Sequence, residues 1–145
     1  MIEILQIPGG MVPDVWGQAL KHLAGPIEMA RGRYLPEDVL FFCANGQMQL
    51  WLVVDKDIIG AAVTEIAVYP RLKYMRVPFL GGEGIAEWHN EINEAIEMFG
   101  RQFGCVGNEA VGRKGWAKVL NADYVSVFMV RDYAPAPIAA SEGVH

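Results

Sequence analysis

The segment from Ile58 to Tyr69 constrains the fold of this chain more than any other, because it is apolar on both faces of a strand. The alternation places Ala62, Ile66 and Val68 on one face, and Ala61, Val63, Ala67 and Tyr69 on the other. Such a strand belongs in the middle of a sheet that is covered on both sides. Runs rich in β-branched and aromatic residues, Gln47–Val54 and Tyr74–Leu80, flank it at hairpin distance. The pattern therefore predicts a three-strand antiparallel meander.

The residues before the meander predict one strand and two helices. Ile2 to Ile7 alternates apolar and polar residues, as a half-buried strand does. From Val12 to Leu23 apolar residues recur at spacings of three and four, which predicts a helix that Gly25-Pro26 closes. Pro36-Glu37-Asp38 is typical of a second helix start, and Ala44-Asn45-Gly46 of a turn.

A glycine loop and a long helix follow the meander. Gly81-Gly82-Glu83-Gly84 precedes apolar residues that step by three and four from Ile85 to Phe103, and Gly104 ends this helix. The remaining predicted elements are a strand over Cys105–Val111, a helix over Arg113–Leu120 and a strand over Tyr124–Val130. The whole order is β-α-α-β-β-β-α-β-α-β, an α/β (α+β) fold.

Composition limits the classes of protein that the chain can belong to. Of its 145 residues 52% are hydrophobic and 20% charged, which excludes a disordered tail protein, and we expect one domain over residues 1–133. The Pro/Ala-rich residues 134–145 predict a flexible tail. A net charge of −5 offers no basic face, so neither nucleic acid nor a membrane is an expected partner. With two cysteines, no spanning segment and no signal peptide, we expect an intracellular, cytoplasmic protein.

The strand–glycine loop–helix unit over residues 74–103 is the most informative feature for chemistry. Backbone amides at a helix N-terminus, with glycines that allow close approach, can bind an anion. A plain strand-to-helix turn explains the same glycines, and the Glu83 carboxylate would compete with a phosphate. Pro78 cannot donate to a ladder, so it predicts a bulge or an edge that opens the sheet just before the loop.

Two glutamates are candidates for general base catalysis. Glu65 lies in the two-sided apolar strand, where burial would favour its protonated form, and Glu109 lies in the short strand after the long helix. The alternative for Glu65 is a structural glutamate paired with Arg71 or Arg76, and Glu109 has a similar alternative. No second ligand accompanies His89 at a metal-binding spacing, so no metal site is expected.

The element order over residues 1–133 resembles that of the GCN5-related N-acetyltransferases, the GNAT superfamily. The resemblance implies a GNAT-like fold with a central mixed, mostly antiparallel sheet flanked by helices. Three short segments also resemble small GNAT-like proteins of tailed bacteriophages, some of which are similar to internal virion proteins. These segments are Val63-Thr64-Glu65-Ile66 through Tyr69-Pro70, Leu80-Gly81-Gly82, and Gly112-Arg113-Lys114-Gly115-Trp116.

The resemblance also implies a cofactor and its binding residues. In the family, acetyl-CoA lies against the fourth strand where it splays from the fifth, and its pyrophosphate sits on a loop of pattern Gln/Arg-x-x-Gly-x-Gly/Ala. Gly82 and Gly84 match the glycine positions, whereas Phe79 stands where Gln or Arg is expected. The implied cofactor-binding residues are Phe79, Leu80, Gly81, Gly82, Glu83, Gly84 and Ile85.

The implied catalytic residues match the family less well. A tyrosine on the short helix often protonates the departing CoA thiolate, but this chain has Trp116-Ala117-Lys118 there. Tyr124 is near in sequence and is the candidate for that role, with Glu65 or Glu109 as the base.

Two main functions follow. The first is acyl-CoA-dependent N-acyl transfer to an amine-bearing small molecule or protein. The alternative is a non-catalytic structural, internal virion or assembly protein of a tailed phage, with phage structural proteins as partners. A binding module for another small anion is a third hypothesis. An exposed meander edge and like-charged helix faces are compatible with a homo-oligomer.

Overall fold

The computed structural model describes residues 1–112, 116–123, 125 and 129–136. Its elements alternate between one sheet and the helices that cover it. In chain order they are β1 (Glu3–Ile7), a 3-10 turn (Gly9–Met11), α1 (Val12–Glu28), α2 (Pro36–Ala44), β2 (Gln49–Asp55), β3 (Asp57–Val68), β4 (Lys73–Gly82), α3 (Ile85–Gln102), β5 (Cys105–Glu109) and α4 (Trp116–Val119). Within this part of the chain, no helix is both long and apolar enough to cross a membrane.

The sheet has five strands in the order β1-β2-β3-β4-β5. Neighbouring strands from β1 to β4 are antiparallel, and β5 runs parallel to β4 after the crossover through α3. The predicted mixed, mostly antiparallel sheet is therefore confirmed. The meander is confirmed as well, with β3 as the central strand of the sheet.

Both faces of β3 are covered, as its two apolar faces require. On one face Ala61 and Val63 pack with α1 and α2, in a core cluster that includes Leu23 and Val39. On the other face Ala62 packs with the α3 residues Trp88, Ile92 and Ile96. These three α3 side chains are at most 2% exposed. Burial of such side chains is worth roughly 1.5–3 kcal/mol each, which makes α3 the main cover of that face.

The prediction that Gly25-Pro26 closes the first helix is wrong, because α1 continues to Glu28 with Pro26 inside it. Proline removes only one intrahelical N–H, the one that would donate to the His22 carbonyl oxygen. That oxygen lies against Gly81 of β4 instead, so close that a Cβ at Gly81 would be 2.1 Å from it. Ile27, 1% exposed in the core, gives the extra turn its stabilisation.

The other predicted elements differ from the structure mainly in their bounds. Gly81 and Gly82, predicted to lie in a loop, are the last two residues of β4, so only Glu83 and Gly84 connect β4 to α3. The short helix predicted from Arg113 is α4, which begins at Trp116. Residues 113–115, most of the strand predicted over Tyr124–Val130, and residues 137–145 of the tail lie outside the described residues.

Candidate functional site

The pairing of β4 with β5 ends part-way along β4, because β5 ends at Glu109. Their parallel pairing consists of Lys73 with Cys105, Met75 with Asn108 and Arg76 with Glu109. Beyond Arg76, the β4 edge that faces away from β3 has no strand partner in the described part of the chain. Among the described residues, the backbone edge of residues 77–82 is therefore unpaired, and it leads directly to α3. We call the point just beyond the Arg76–Glu109 pair the fork.

A β-bulge in β4 lies at the start of this free edge. Val63 pairs with Phe79 and Glu65 with Arg76, so three steps along β4 oppose two steps along β3. The extra residue switches the faces of the strand: Val77 packs on the α3 side and Phe79 on the α1 side. Pro78 lies within the bulge, which confirms the bulge predicted from the sequence.

The connection between β4 and α3 is held by two hydrogen bonds to the backbone of Glu83. The Glu83 amide donates to the Ile59 carbonyl oxygen at 2.8 Å. The Glu83 carbonyl oxygen accepts a hydrogen bond from the Trp88 indole Nε1 at 2.6 Å. Because amides alternate along an antiparallel ladder, the Leu80 amide then points towards the free edge. The first-turn amides of Ile85 and Ala86 have no acceptor within their own helix.

Glycine is needed for different physical reasons at the three positions Gly81, Gly82 and Gly84. A Cβ at Gly81 would be 2.1 Å from the His22 carbonyl oxygen, and one at Gly82 would be 2.5 Å from the Gly60 Cα. Packing against neighbouring backbone therefore explains both of these glycines. Gly84 has φ +66°, and a Cβ there would have no heavy atom closer than 3.8 Å. Only Gly84 leaves open space in front of the α3 N-terminus.

Of the residues predicted to bind the cofactor, the structure brings Leu80, Gly84 and Ile85 to the free edge and the start of α3 by their backbone. Phe79 is 2% exposed, and its ring makes an edge-to-face contact with Tyr34 at 5.4 Å between centroids. Its side chain therefore belongs to the core. Glu83 is exposed, and the Glu87 carboxyl carbon would be 3.8 Å from a Cβ at Gly84. Two carboxylates thus stand around the amides of this helix start.

The two predicted catalytic glutamates meet at the fork through one arginine. Arg76 Nη1 donates to Glu65 Oε2 at 3.2 Å, and Arg76 Nε donates to Glu109 Oε2 at 3.3 Å. The Tyr69 hydroxyl donates to the same Glu109 oxygen at 2.6 Å and accepts from Arg76 Nη2 at 3.2 Å. The side chains of Glu65, Arg76 and Glu109 are 23%, 41% and 31% exposed. The structural alternative for Glu65, an ion pair with Arg76, is thus present.

The contacts of Arg76 stabilise its charge. The hydrogen bond to Tyr69 contributes most to raising the pKa of Arg76 above its ordinary value, and the two carboxylates raise it further, whereas burial lowers it. Arg76 is therefore a permanent cation between two carboxylates. The group of Glu65, Arg76 and Glu109 carries a net charge of −1 when both glutamates are ionised.

A depression of about 190 Å³ opens beside Glu65. It lies on the α1/α2 side of the sheet, and its lining includes Tyr34 from the α1–α2 connection and Phe42 from α2. Met48 contributes a further apolar wall. Gln47 and Glu65 complete the lining, so the depression has aromatic, apolar and polar walls.

Sequence reasoning named Arg76 as a possible partner of Glu65, but it missed Tyr69 and the contact of Arg76 with Glu109. A signal was present, because Tyr69 shares the predicted face of Glu65, and Arg76 lies opposite Glu65 in the hairpin. Tyr124, the predicted proton donor to the thiolate, lies outside the described residues. The site assignments of Glu65, Glu109 and the loop residues stay predictions.

No protein-family model and no curated protein matches this sequence. Solved structures match its fold over almost the whole chain. An aminoglycoside acetyltransferase from an uncultured soil metagenomic sample, in complex with sisomicin, has a TM-score of 0.65 and 11% identity, covering 92% of this chain and 97% of that one. A ribosomal-protein-alanine N-acetyltransferase from Brucella melitensis has a TM-score of 0.60 and 11% identity, covering 92% and 100%.

A third structure was solved with a bound acetyl donor. This predicted acetyltransferase with acetyl-CoA, from Clostridium acetobutylicum, has a TM-score of 0.63 and 9% identity, covering 90% of this chain and 96% of that one. The chain therefore has the fold of these acetyltransferases, and the GNAT-like fold implied by the resemblance is confirmed. None of these three structures supports the resemblance to phage proteins.

Proposed function

We propose that this protein is an acyl-CoA-dependent N-acyltransferase that transfers an acetyl group from acetyl-CoA to an amine. The observation that carries the proposal is the fork: β4 continues beyond the Arg76–Glu109 pair, where β5 ends, and its unpaired edge leads to the exposed start of α3. The acetyltransferase fold supports the same function.

The residues along this edge fit acetyl-CoA. The Leu80 amide would hold the extended part of the molecule by strand-like hydrogen bonds, and the amides of Gly84, Ile85 and Ala86 would hold the pyrophosphate. Free amides and the positive end of the α3 dipole favour an anion there. Glu83 and Glu87 oppose it, so we expect binding in the micromolar range rather than tighter.

The implied loop pattern fits this geometry better two residues further along the chain. In that frame Gly84 and Ala86 take the positions of the last Gly and Gly/Ala, and Gly81 takes the position of Gln/Arg. This frame places the small residues of the pattern at the helix start, where the amides are free, rather than at Gly82, which packs against Gly60.

When bound, acetyl-CoA supplies the acetyl group as a thioester. The chain supplies carboxylates at the fork, where Glu65 or Glu109 would accept the proton that the amine nitrogen loses. The depression beside Glu65 offers room for the acceptor on the same side of the sheet. An amine-bearing small molecule is the favoured acceptor, in keeping with the sisomicin complex of the soil acetyltransferase. Tyr124 remains the predicted proton donor to the thiolate.

Isothermal titration with acetyl-CoA and with free CoA tests the proposal, using wild type, Gly84→Asn and Gly84→Asp. Asn and Asp have the same size, and both tolerate the left-handed backbone conformation of Gly84. The pair therefore separates charge from shape. Gly82→Asp is a poor probe, because its Cβ would be 2.5 Å from the Gly60 Cα and would disturb the fold itself.

We expect micromolar binding of both ligands to wild type, a modest loss in Gly84→Asn, and a loss of at least tenfold beyond that in Gly84→Asp. Thermal unfolding serves as the control, since the added Asp charge near the α3 N-terminus favours the helix. Equal affinities of the Asn and Asp variants would exclude the α3 N-terminus as the pyrophosphate site. The absence of heat at millimolar ligand would overturn the proposed function and favour a GNAT-fold protein that acts without the cofactor.

A further inference from the structure

We propose that Glu109 is the carboxylate that takes the proton from the amine, and that Arg76 and Tyr69 are positioning residues that hold it at the fork. This inference rests on the proposed function. It assigns different roles to two glutamates that the sequence leaves equivalent: Glu109 meets the reacting amine, and Glu65 anchors Arg76.

The first support is the arrangement of three side chains in one cross-strand row. Glu65 on β3 is in register with Arg76 on β4, and Arg76 is in register with Glu109 on β5. The Arg76–Glu109 pair is the last one between β4 and β5, because β5 ends at Glu109. Glu109 therefore lies at the fork itself, whereas Glu65 lies two strands away from β5. A base must be within hydrogen-bond reach of the proton that it takes, which favours Glu109.

The second support is the unequal number of donors on the two carboxylates. Glu109 Oε2 accepts from both the Tyr69 hydroxyl and Arg76 Nε, at 2.6 Å and 3.3 Å. Glu65 Oε2 accepts from Arg76 Nη1 alone, at 3.2 Å. These two donors, one just after β3 and one on β4, hold Oε2 of Glu109 in place. In the described part of the chain, Glu109 Oε1 has no hydrogen-bond donor and is available to the amine.

The third support is the position of Arg76 between the two carboxylates. Its guanidinium stays charged and uses Nη1 for Glu65, Nη2 for Tyr69 and Nε for Glu109. The planar guanidinium is held more rigidly when two of its N–H groups already have acceptors in fixed positions. Glu65 and Tyr69 supply these acceptors, so the third direction, towards Glu109, is fixed.

The chemical step balances with these groups. As the amine nitrogen forms the C–N bond to the acetyl carbon and the C–S bond breaks, Glu109 takes one proton from the nitrogen. The electron pair of the C–S bond leaves with the sulfur, and the resulting thiolate takes a proton from a general acid, the role predicted for Tyr124, which regains its proton from water. Glu109 returns its proton to solvent before the next cycle, which its partial exposure permits.

The test compares the variants Glu109→Gln, Glu65→Gln, Tyr69→Phe and Arg76→Lys by steady-state kinetics. We expect Glu109→Gln to lower kcat by about 10²–10⁴-fold. Tyr69→Phe and Arg76→Lys should lower kcat by about tenfold to hundredfold, through a misplaced carboxylate, and leave KM for acetyl-CoA unchanged. Glu65→Gln should lower kcat by less than Tyr69→Phe or Arg76→Lys does. Arg101→Lys is the matched control, because Arg101 pairs with Glu97 at 2.7 Å on the exposed side of α3.

A second readout needs neither substrate nor turnover. In protein labelled with ¹³C at glutamate carboxyls, the Glu109 resonance should move in Tyr69→Phe and in Arg76→Lys, and should stay in place in Arg101→Lys. An unmoved Glu109 resonance in both fork variants would overturn the positioning role.

The kinetic outcomes separate the inference from the proposed function. The inference alone fails in two cases, provided that wild type binds acetyl-CoA and acetylates an amine. In the first case Glu109→Gln keeps the wild-type kcat. In the second case Glu65→Gln lowers kcat as much as Glu109→Gln does. If wild type does not bind acetyl-CoA, the proposed function fails, and the role of Glu109 as a base fails with it.

Discussion

The Trp88 indole N–H donates to the Glu83 carbonyl oxygen at 2.6 Å, and this contact joins the first turn of α3 to the end of β4. The Trp88 ring is fully buried and fills the space above two glycines: a Cβ at Gly60 would be 2.7 Å from it, and one at Gly82 would be 3.0 Å. The Trp88 side chain thus holds the Glu83 carbonyl group, while the Ile59 carbonyl oxygen of β3 holds the Glu83 amide. The free amides at the start of α3 therefore have a single, fixed direction.

Trp88→Phe should weaken acetyl-CoA binding as well as stability. The variant keeps an aromatic ring in the core but loses the hydrogen bond to Glu83, which costs about 1–3 kcal/mol of unfolding free energy with the lost packing. Acetyl-CoA affinity should fall by about threefold to tenfold, because the loop must be ordered on binding. Titration calorimetry and urea unfolding measure the two effects.

Trp51→Phe is the matched control for this prediction. Trp51 packs in the same cluster and donates to Thr64 Oγ1 at 2.9 Å, away from the loop. It should lose stability and keep its acetyl-CoA affinity. An equal loss of affinity in both variants would mean that general destabilisation, rather than the Trp88–Glu83 contact, governs binding.

Gly81→Ala should destabilise the protein because of the helix that lies against it. Its Cβ would be 2.1 Å from the His22 carbonyl oxygen, which belongs to backbone and cannot rotate away. Overpacking of this kind costs about 1–3 kcal/mol. Gly17→Ala in α1 meets no atom within 4 Å, so it should stabilise the helix by about 0.5–1 kcal/mol. Urea unfolding curves that rank the two variants in the opposite order would contradict the contact between α1 and β4.

Glu83→Gln should tighten acetyl-CoA binding. Removing an exposed negative charge from the start of α3 recovers about 0.3–1 kcal/mol of attraction for a phosphate, which corresponds to about twofold to fivefold in Kd. The gain should shrink at high salt, because the charge is exposed. Glu94→Gln, on the exposed side of the middle of α3, is the control and should leave Kd unchanged. A Kd for Glu83→Gln equal to that of wild type at low salt would place the pyrophosphate elsewhere.

The sequence predicted the elements of this fold through period and turn chemistry, which are local properties. The apolar residues on the two faces of β3 and along one side of α3 repeat with the period of a strand or a helix. These two elements could therefore be predicted from the spacing of their own residues. The end of α1 could not be predicted in this way. Pro26 is typical of a helix stop, and its tolerance depends on Gly81, a residue of another element.

The candidate site was predicted in part for the same reason. Pro78 predicted the bulge, because the missing amide is a local property. The role of each glycine was not predictable, since Gly81 and Gly82 pack against His22 and Gly60, and only Gly84 faces open space. The joining of Glu65 and Glu109 through Arg76 depends on β4 pairing with β5 across the α3 crossover. No spacing within the sequence encodes that register.

Stability should fall above pH 9 through Cys43. Burial raises the pKa of the Cys43 thiol from 9.0 to about 12, and the residue is 2% exposed between α2 and the sheet. In the unfolded chain the thiol ionises near pH 9, whereas the folded protein retains the proton until about pH 12. Its contribution is therefore fully present below pH 9 and is lost between pH 9 and about 12, by up to ~1.4 kcal/mol per pH unit.

Urea unfolding of wild type, Cys43→Ala and Cys105→Ala between pH 8 and pH 11 isolates this contribution from the other groups that titrate there. Cys43→Ala should be less stable than wild type at pH 8, because it leaves a small cavity, and the difference should shrink as pH rises. Cys105→Ala should keep the wild-type dependence on pH. Parallel curves for wild type and Cys43→Ala would show that the Cys43 thiol reaches solvent in the folded protein, against the packing of α2 on the sheet described above.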